Sequence, residues 1–119
     1  LNALWLQGSD KYQSALDAIN DSGKKDKILL LTFDAEPEFL ELIKNNTLVG
    51  SAMQQPFLMG EKAVENMDKY LNNQVVERND KLPILTISKE NIENNLTIIK
   101  RNVFGIDSKT NIKIQSSNK

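Results

Sequence analysis

The sequence predicts an α/β protein, built as a three-layer parallel sheet flanked by helices. Strand-like apolar runs at 3–7, 28–33 and 48–53 are each followed by a segment with helical spacing. Three strand–helix repeats of this kind favour parallel strands joined by right-handed crossovers. With 119 residues, of which 39% are hydrophobic, the chain holds enough material for one domain or for part of a larger one.

Charge balance and residue types exclude several function classes. The chain has 15 basic and 16 acidic residues, a net charge of −1, and no basic stripe. It therefore has neither a nucleic-acid footprint nor a polybasic membrane patch. It contains no cysteine and no histidine, which excludes disulfides, Cys/His zinc sites and His-based triads. No nucleophile–base pair or phosphate-cradling glycine loop can be assembled, so we expect a protein that is not an enzyme and binds no metal or cofactor.

Helix start and stop signals separate the strands. Ser9 is a candidate N-cap for the first helix, which Gly23 ends, and Pro37 lies near the first turn of the second. Pro56 restarts a third helix. The apolar face predicted for that helix consists of Phe57, Ala63, Val64, Met67 and Leu71. Beyond it, residues 82–88 form a fourth extended run, and the spacing of Ile92, Leu96 and Ile99 fits a short helix.

Polar residues stand where two of the strands end. Asp34 follows the run 28–33, and Gln54 follows the run 48–53. Parallel α/β folds bind ligands in the crevice at the carboxyl ends of their strands, so these residues indicate a small-molecule site. The alternative for Asp34 is a helix cap, which spacing alone favours, and for Gln54 it is an exposed strand end.

The ordered set of features resembles the C-terminal lobe of sugar-binding proteins of the ribose/galactose-binding type, the solute receptors of bacterial ABC importers. The resemblance rests on Phe33-Asp34, on Gln54-Gln55-Pro56, on the helix MGEKAVENMDKYLNNQ and on TISKENIEN. It implies a type I periplasmic binding protein-like fold. Residues 1–94 would then be a partial C-terminal ligand-binding lobe, and residues 95–119 a C-terminal extension or tail.

The resemblance also implies a ligand, partners and a location. Asp34 would accept hydrogen bonds from two neighbouring sugar hydroxyls, and the Gln54 amide would donate and accept at once. The family carries Asn-Asp after the first strand, where this chain has Gln7-Gly8-Ser9-Asp10, so Ser9 is the candidate substitute. The full-length protein would be extracytoplasmic, either periplasmic or lipid-anchored at the cell surface. It would serve a membrane permease or a sensor.

Two alternatives belong to other function classes. The effector-binding half of a lactose-repressor-type regulator shares the fold, although its DNA-binding head is absent from this sequence. Residues 26–43 superficially resemble the opening strand and acidic residues of a phospho-receiver domain. Phosphoryl transfer in such a domain needs clustered carboxylates around a divalent cation, whereas here a single acid follows the strand.

The first strand is predicted to be an open edge. In the resemblance, the strand from Ala3 to Gln7 lacks its neighbour, and an unpaired edge invites pairing with a second copy. We therefore expect a homodimer through residues 3–7. Trp5 lies inside this strand rather than at its carboxyl end, so we expect it to pack in the core rather than stack on a sugar ring.

Overall fold

The computed structural model describes residues 1–8 and 10–106. The strands and helices follow the predicted order, and β4 and α4 continue the chain beyond the third repeat. The elements are β1 (Ala3–Leu6), α1 (Tyr12–Asp21), β2 (Leu29–Phe33), α2 (Phe39–Lys44), β3 (Gly50–Met53), α3 (Pro56–Leu71), β4 (Leu85–Ser88), α4 (Ile92–Ile98) and a π-helical turn (Ile99–Val103). Across the described ranges, no helix combines the length and apolar character needed to cross a bilayer.

The four strands form one sheet in the order β1-β2-β3-β4. β1, β2 and β3 are mutually parallel, as predicted, with Leu6 opposite Thr32 and Thr32 opposite Ser51. The expectation of a wholly parallel sheet is wrong for β4, which pairs antiparallel with β3. The reason is that α3 does not complete a crossover: Leu85 pairs with Met53, so the chain returns to the sheet at the point where it left.

One face of the sheet carries the hydrophobic core. Because β1, β2 and β3 are adjacent in chain order, right-handed crossovers place α1 and α2 on the same face. α4 and the π turn contribute to the same cluster. Its buried residues are Ile19, Leu30, Phe39, Ile43, Leu48, Met53, Ile87, Ile92, Ile99 and Val103. Full burial of such side chains is worth about 1.5–3 kcal/mol each.

The opposite face of the sheet is exposed along β1 and at the start of β2. Trp5 is 58% exposed and Leu29 57% exposed, and their side chains share this face because Ala3 pairs with Leu29 and Trp5 with Leu31. Core packing of Trp5 is therefore a wrong expectation, because α1 and α2 both lie on the other face of the sheet.

Helix boundaries differ from the predictions mainly at their starts. The predicted cap Ser9 lies outside the described residues, and the N-cap position of α1 is Lys11, which makes no side-chain cap bond. Glu38 is the N-cap residue of α2, so Pro37 precedes that helix. Gly23, at φ 65°, follows α1 as predicted, since this conformation costs glycine little. The predicted tail lies partly in α4 and the π turn, and residues 107–119 fall outside the described ranges.

Candidate ligand site

The carboxyl ends of β1, β2 and β3 meet at one edge of the sheet. The pairing of Leu6 with Thr32, continued by two residues along each strand, places Gly8 beside Asp34. The backbone N–H of Asp34 donates to the carbonyl of Ala52 at 2.8 Å, which places Asp34 beside the end of β3. Gln54 follows that strand directly. Two of the predicted site residues, Asp34 and Gln54, therefore lie at the same edge, whereas Ser9 lies outside the described residues.

Asp34 is held in an unusual backbone conformation. Its φ is 67°, in the left-handed region that few residues other than glycine adopt, although Asp is among those that tolerate it. The buried hydroxyl of Ser51 donates to the Asp34 carbonyl at 2.6 Å and lies 3.1 Å from the carbonyl of Thr32. A left-handed residue persists where its surroundings determine it, and such residues cluster at functional sites. β3 thus determines the direction in which the Asp34 side chain leaves the backbone.

The Asp34 carboxylate does not act as a helix cap. Residues 35–40 are all described, and no backbone N–H among them donates to it; the cap position of α2 is occupied by Glu38 instead. The half-buried carboxylate thus retains its acceptor sites on the helix side. An ionised carboxylate has room for several donors and can accept a pair of adjacent hydroxyls.

The two glutamines after β3 have opposite environments. Gln54 is exposed, whereas Gln55 is only 4% exposed. The Gln55 amide nitrogen donates to the carbonyl of Pro83 at 2.8 Å, and its oxygen accepts from the Asn102 side chain at 2.7 Å. The sequence prediction singled out Gln54 as a ligand residue and did not include the burial of Gln55. The alternation of an extended backbone indicates that Gln54 and Gln55 face opposite sides, but only the structure shows that Gln55 shares the buried side with Met53.

An open cavity adjoins Gln54 on the α3 side. Its volume is about 470 Å³, and it lies between α3 and the segment that returns to β4. The residues that line it are apolar and polar in about equal number, and the charged ones are Asp80 and two lysines. They include Gln54, Met59, Lys62, Ala63, Lys81 and Leu82.

The starts of α1 and α2 are tied together at the same edge. The hydroxyl of Tyr12 donates to the Glu38 carboxylate at 2.8 Å, and the Tyr12 ring meets the buried Phe39 ring edge-on at 5.0 Å between centroids. Burial, followed by this hydrogen bond to Glu38, raises the pKa of Tyr12 to about 12. Tyr12 is therefore a neutral hydrogen-bond donor at every physiological pH.

Clusters of metal-ligating side chains are absent from the part of the chain that the structure describes. Residues 1–8 and 10–106 contain no group of three or more His, Cys, Asp or Glu side chains that could share an ion. This disfavours the phospho-receiver interpretation, which needs such a carboxylate cluster.

An α/β unit that gathers a carboxylate and an amide at the carboxyl ends of parallel strands is typical of small-molecule binding modules. The periplasmic binding protein domain matches residues 1–74 of this chain. The chain therefore belongs to the periplasmic binding protein family, whose members bind solutes and are not enzymes. This confirms the family resemblance and the absence of an enzymatic function; which lobe the chain represents stays a prediction.

Curated relatives agree with this assignment. The ribose import binding protein RbsB of Bacillus subtilis (strain 168) is 33% identical over 84 residues, which are 71% of this chain and 27% of that protein. RbsB of Haemophilus influenzae is 29% identical over the same share of each chain. The chain thus spans about a quarter of the length of these relatives.

Solved structures of solute-binding proteins share the fold. An ABC transporter solute-binding protein from Agrobacterium vitis with bound D-fucose has a TM-score of 0.72 at 26% identity, covering 87% of this chain and 34% of that chain. The fold comparison confirms the α/β class with a mostly parallel sheet.

Proposed function

We propose that this chain is part of the C-terminal lobe of an extracytoplasmic sugar-binding protein that serves an ABC-type importer or an associated sensory system. The single observation that carries the proposal is the placement of Asp34. Its left-handed backbone is held by Ser51 at the edge of the sheet where Gln54 also stands. The family assignment and the ribose-binding relatives support a sugar as the ligand and a location outside the cytoplasm.

The residues suit polyhydroxyl recognition. The Asp34 carboxylate accepts charge-assisted hydrogen bonds from two vicinal hydroxyls, which are stronger than neutral ones. The exposed Gln54 amide donates to one hydroxyl oxygen and accepts from another proton. Ser9 remains the third candidate contact. These groups cover one side of a sugar only, so this chain by itself is expected to bind sugar weakly or not at all.

The test uses the full-length protein and isothermal titration calorimetry with D-ribose, D-galactose, D-glucose and D-allose. Asp34→Asn keeps the shape and tolerates the same backbone conformation but removes the charge. Loss of charge-assisted hydrogen bonds is worth about 1.5–3 kcal/mol, so affinity should fall roughly 10- to 150-fold. Asp26→Asn is the matched control, because Asp26 lines a different cavity, next to Leu29 at the amino end of β2.

Two results would contradict the proposal. One is full-length protein that binds none of these sugars; the other is an Asp34→Asn variant that binds as tightly as wild type. The regulator alternative is decided by the coding sequence upstream of Leu1. A secretory or lipoprotein signal followed by a first lobe supports the receptor, and a helix-turn-helix supports the regulator.

A further inference from the structure

α3 is an excursion from the sheet rather than part of its packed core. The chain leaves the sheet after Met53 and returns at Leu85, and these two residues pair with each other. No α3 residue is buried, and no α3 side chain belongs to the core cluster or packs against it. Hinges consist of a few loop or element-terminal residues, and the exit and return segments are of this kind. Core packing therefore does not set the angle between α3 and the sheet.

The return segment contacts α3 through one exposed hydrogen bond, from Asn66 to Asp80 at 3.4 Å, and further contacts come from the π turn and the residues just after it. A side-chain nitrogen of Arg101 lies 3.0 Å from each carboxylate oxygen of Glu61, in the second turn of α3. Gly105 packs against the ring of Phe57 so closely that a Cβ there would come within 2.3 Å of a ring carbon. Its φ of 66° also favours glycine. These two contacts join the sheet body to the first half of α3.

Asn102 adds a half-buried contact next to the exit and return segments. Its amide donates to the Gln55 oxygen at 2.7 Å, while the Gln55 nitrogen donates to the carbonyl of Pro83 at 2.8 Å. One side chain thus links the exit segment, the return segment and the π turn. Because Gln55 is held facing inward, the alternation of an extended backbone turns Gln54 outward toward the ligand edge.

The π turn allows one segment to serve both the core and α3. The Phe104 N–H bonds to the Ile99 carbonyl, five residues back, and Ile99 and Val103 remain buried while Arg101 is exposed toward Glu61. Single π turns within helices are rare and occur often at functional sites. Glu61 lies within the stretch that the periplasmic binding protein domain matches, residues 1–74, whereas the π turn lies beyond it.

We propose that Arg101, Asn102 and Gly105 form a latch that sets the angle of α3 to the sheet and positions Gln54 at the ligand edge. In a two-lobed protein, a latch across the exit and return segments biases the equilibrium between open and closed arrangements. That consequence rests on the proposed function, whereas the latch itself does not.

The latch is tested on this chain without any sugar, so its failure is distinguishable from failure of the proposed function. The sequence contains no cysteine, so Asn20→Cys on α1 and Lys69→Cys on α3 accept one pair of spin labels per chain. All variants also carry Ala3→Lys at the β1 edge, so that distances between two chains do not contribute. Double electron–electron resonance then measures the distance distribution between sheet body and α3. We expect one narrow distance distribution in the labelled chain whose latch residues are unchanged. In the Arg101→Gln and Asn102→Ala variants, the distance distribution should be shifted or at least twofold broader.

Matched variants separate the latch from general loss of structure. Lys62→Gln removes an ion pair to Glu65 that lies wholly within α3, and it should leave the distribution unchanged. Exchanging the charges, with Arg101→Glu and Glu61→Arg together, should restore the narrow distribution. Should Asn102→Ala fail to fold by far-UV circular dichroism, the more exposed Arg101–Glu61 pair still gives the answer. An unchanged distribution in Arg101→Gln, or broadening that the charge exchange fails to reverse, overturns the latch.

Discussion

A methyl group at Gly50 should break the contact between β3 and β4. A Cβ built at this position lies 2.5 Å from the backbone carbonyl oxygen of Ile87, and ordinary contact begins at 3.4 Å. One strand must therefore move by about 0.9 Å. The oxygen belongs to the backbone of β4, which cannot rotate away as a side chain would.

The size of the effect follows from two opposing terms. Overpacking of this kind costs typically about 1–3 kcal/mol. Alanine also restricts the unfolded chain, which returns roughly 0.4–1 kcal/mol. We expect Gly50→Ala to lower the free energy of unfolding by about 1–2 kcal/mol, measured by urea titration with far-UV circular dichroism.

Gly60 supplies a control with the same chemical change. It lies in the interior of α3, and a Cβ there meets nothing within 4 Å. Alanine is the better helix former, so Gly60→Ala should raise stability by about 0.5–1 kcal/mol if α3 unfolds with the sheet. The two variants should thus move the urea midpoint in opposite directions. A Gly50→Ala variant as stable as wild type, beside a stabilised Gly60→Ala variant, would refute the reasoning about β4.

Three further outcomes are expected. Ser51→Ala removes the buried donor to the Asp34 carbonyl and should cost about 1–1.5 kcal/mol in urea titration; a neutral effect would mean that Ser51 does not hold this turn. Folding raises the pKa of Tyr12 from 10.0 to about 12, so its contribution to stability is complete below pH 10 and is lost as pH rises toward 12. In Tyr12→Phe, the urea midpoint of unfolding should therefore fall less steeply with pH between 10 and 12 than it does in wild type. β1 is an edge strand without charged residues, so we propose that the chain dimerises through residues 3–7 and that Ala3→Lys dissociates the dimer. A monomeric wild-type protein in light scattering at high concentration would argue against this dimer.

Most of the secondary structure followed from local pattern. Periodicity 2 and 3.6, together with the turn at Gly23 and the start at Pro56, indicated the order of strands and helices, because these signals act within a few residues of one another. The same reasoning placed Asp34 and Gln54 after adjacent parallel strands. It did not reveal the left-handed backbone of Asp34, since that conformation depends on Ser51, which lies 17 residues away in the sequence.

The burial of individual side chains, by contrast, depended on which elements pack against them. Trp5 and the apolar stripe of α3 have the composition of core residues, yet both are exposed, because burial requires a partner surface and not only a pattern. The direction of β4 was equally undetermined, since an extended run pairs in either orientation until its neighbour is known.

The stretch from Lys27 to Pro56 shows what the sequence indicates by itself and what depends on the tertiary structure. Its residue order alone indicated an α/β unit with polar groups at strand ends, because chain connectivity and hydrophobic period are local properties. Only the tertiary structure decided that Gln54 faces outward while Gln55 is buried against Pro83 and Asn102. Those partners lie 28 and 47 residues away, and only folding brings them together.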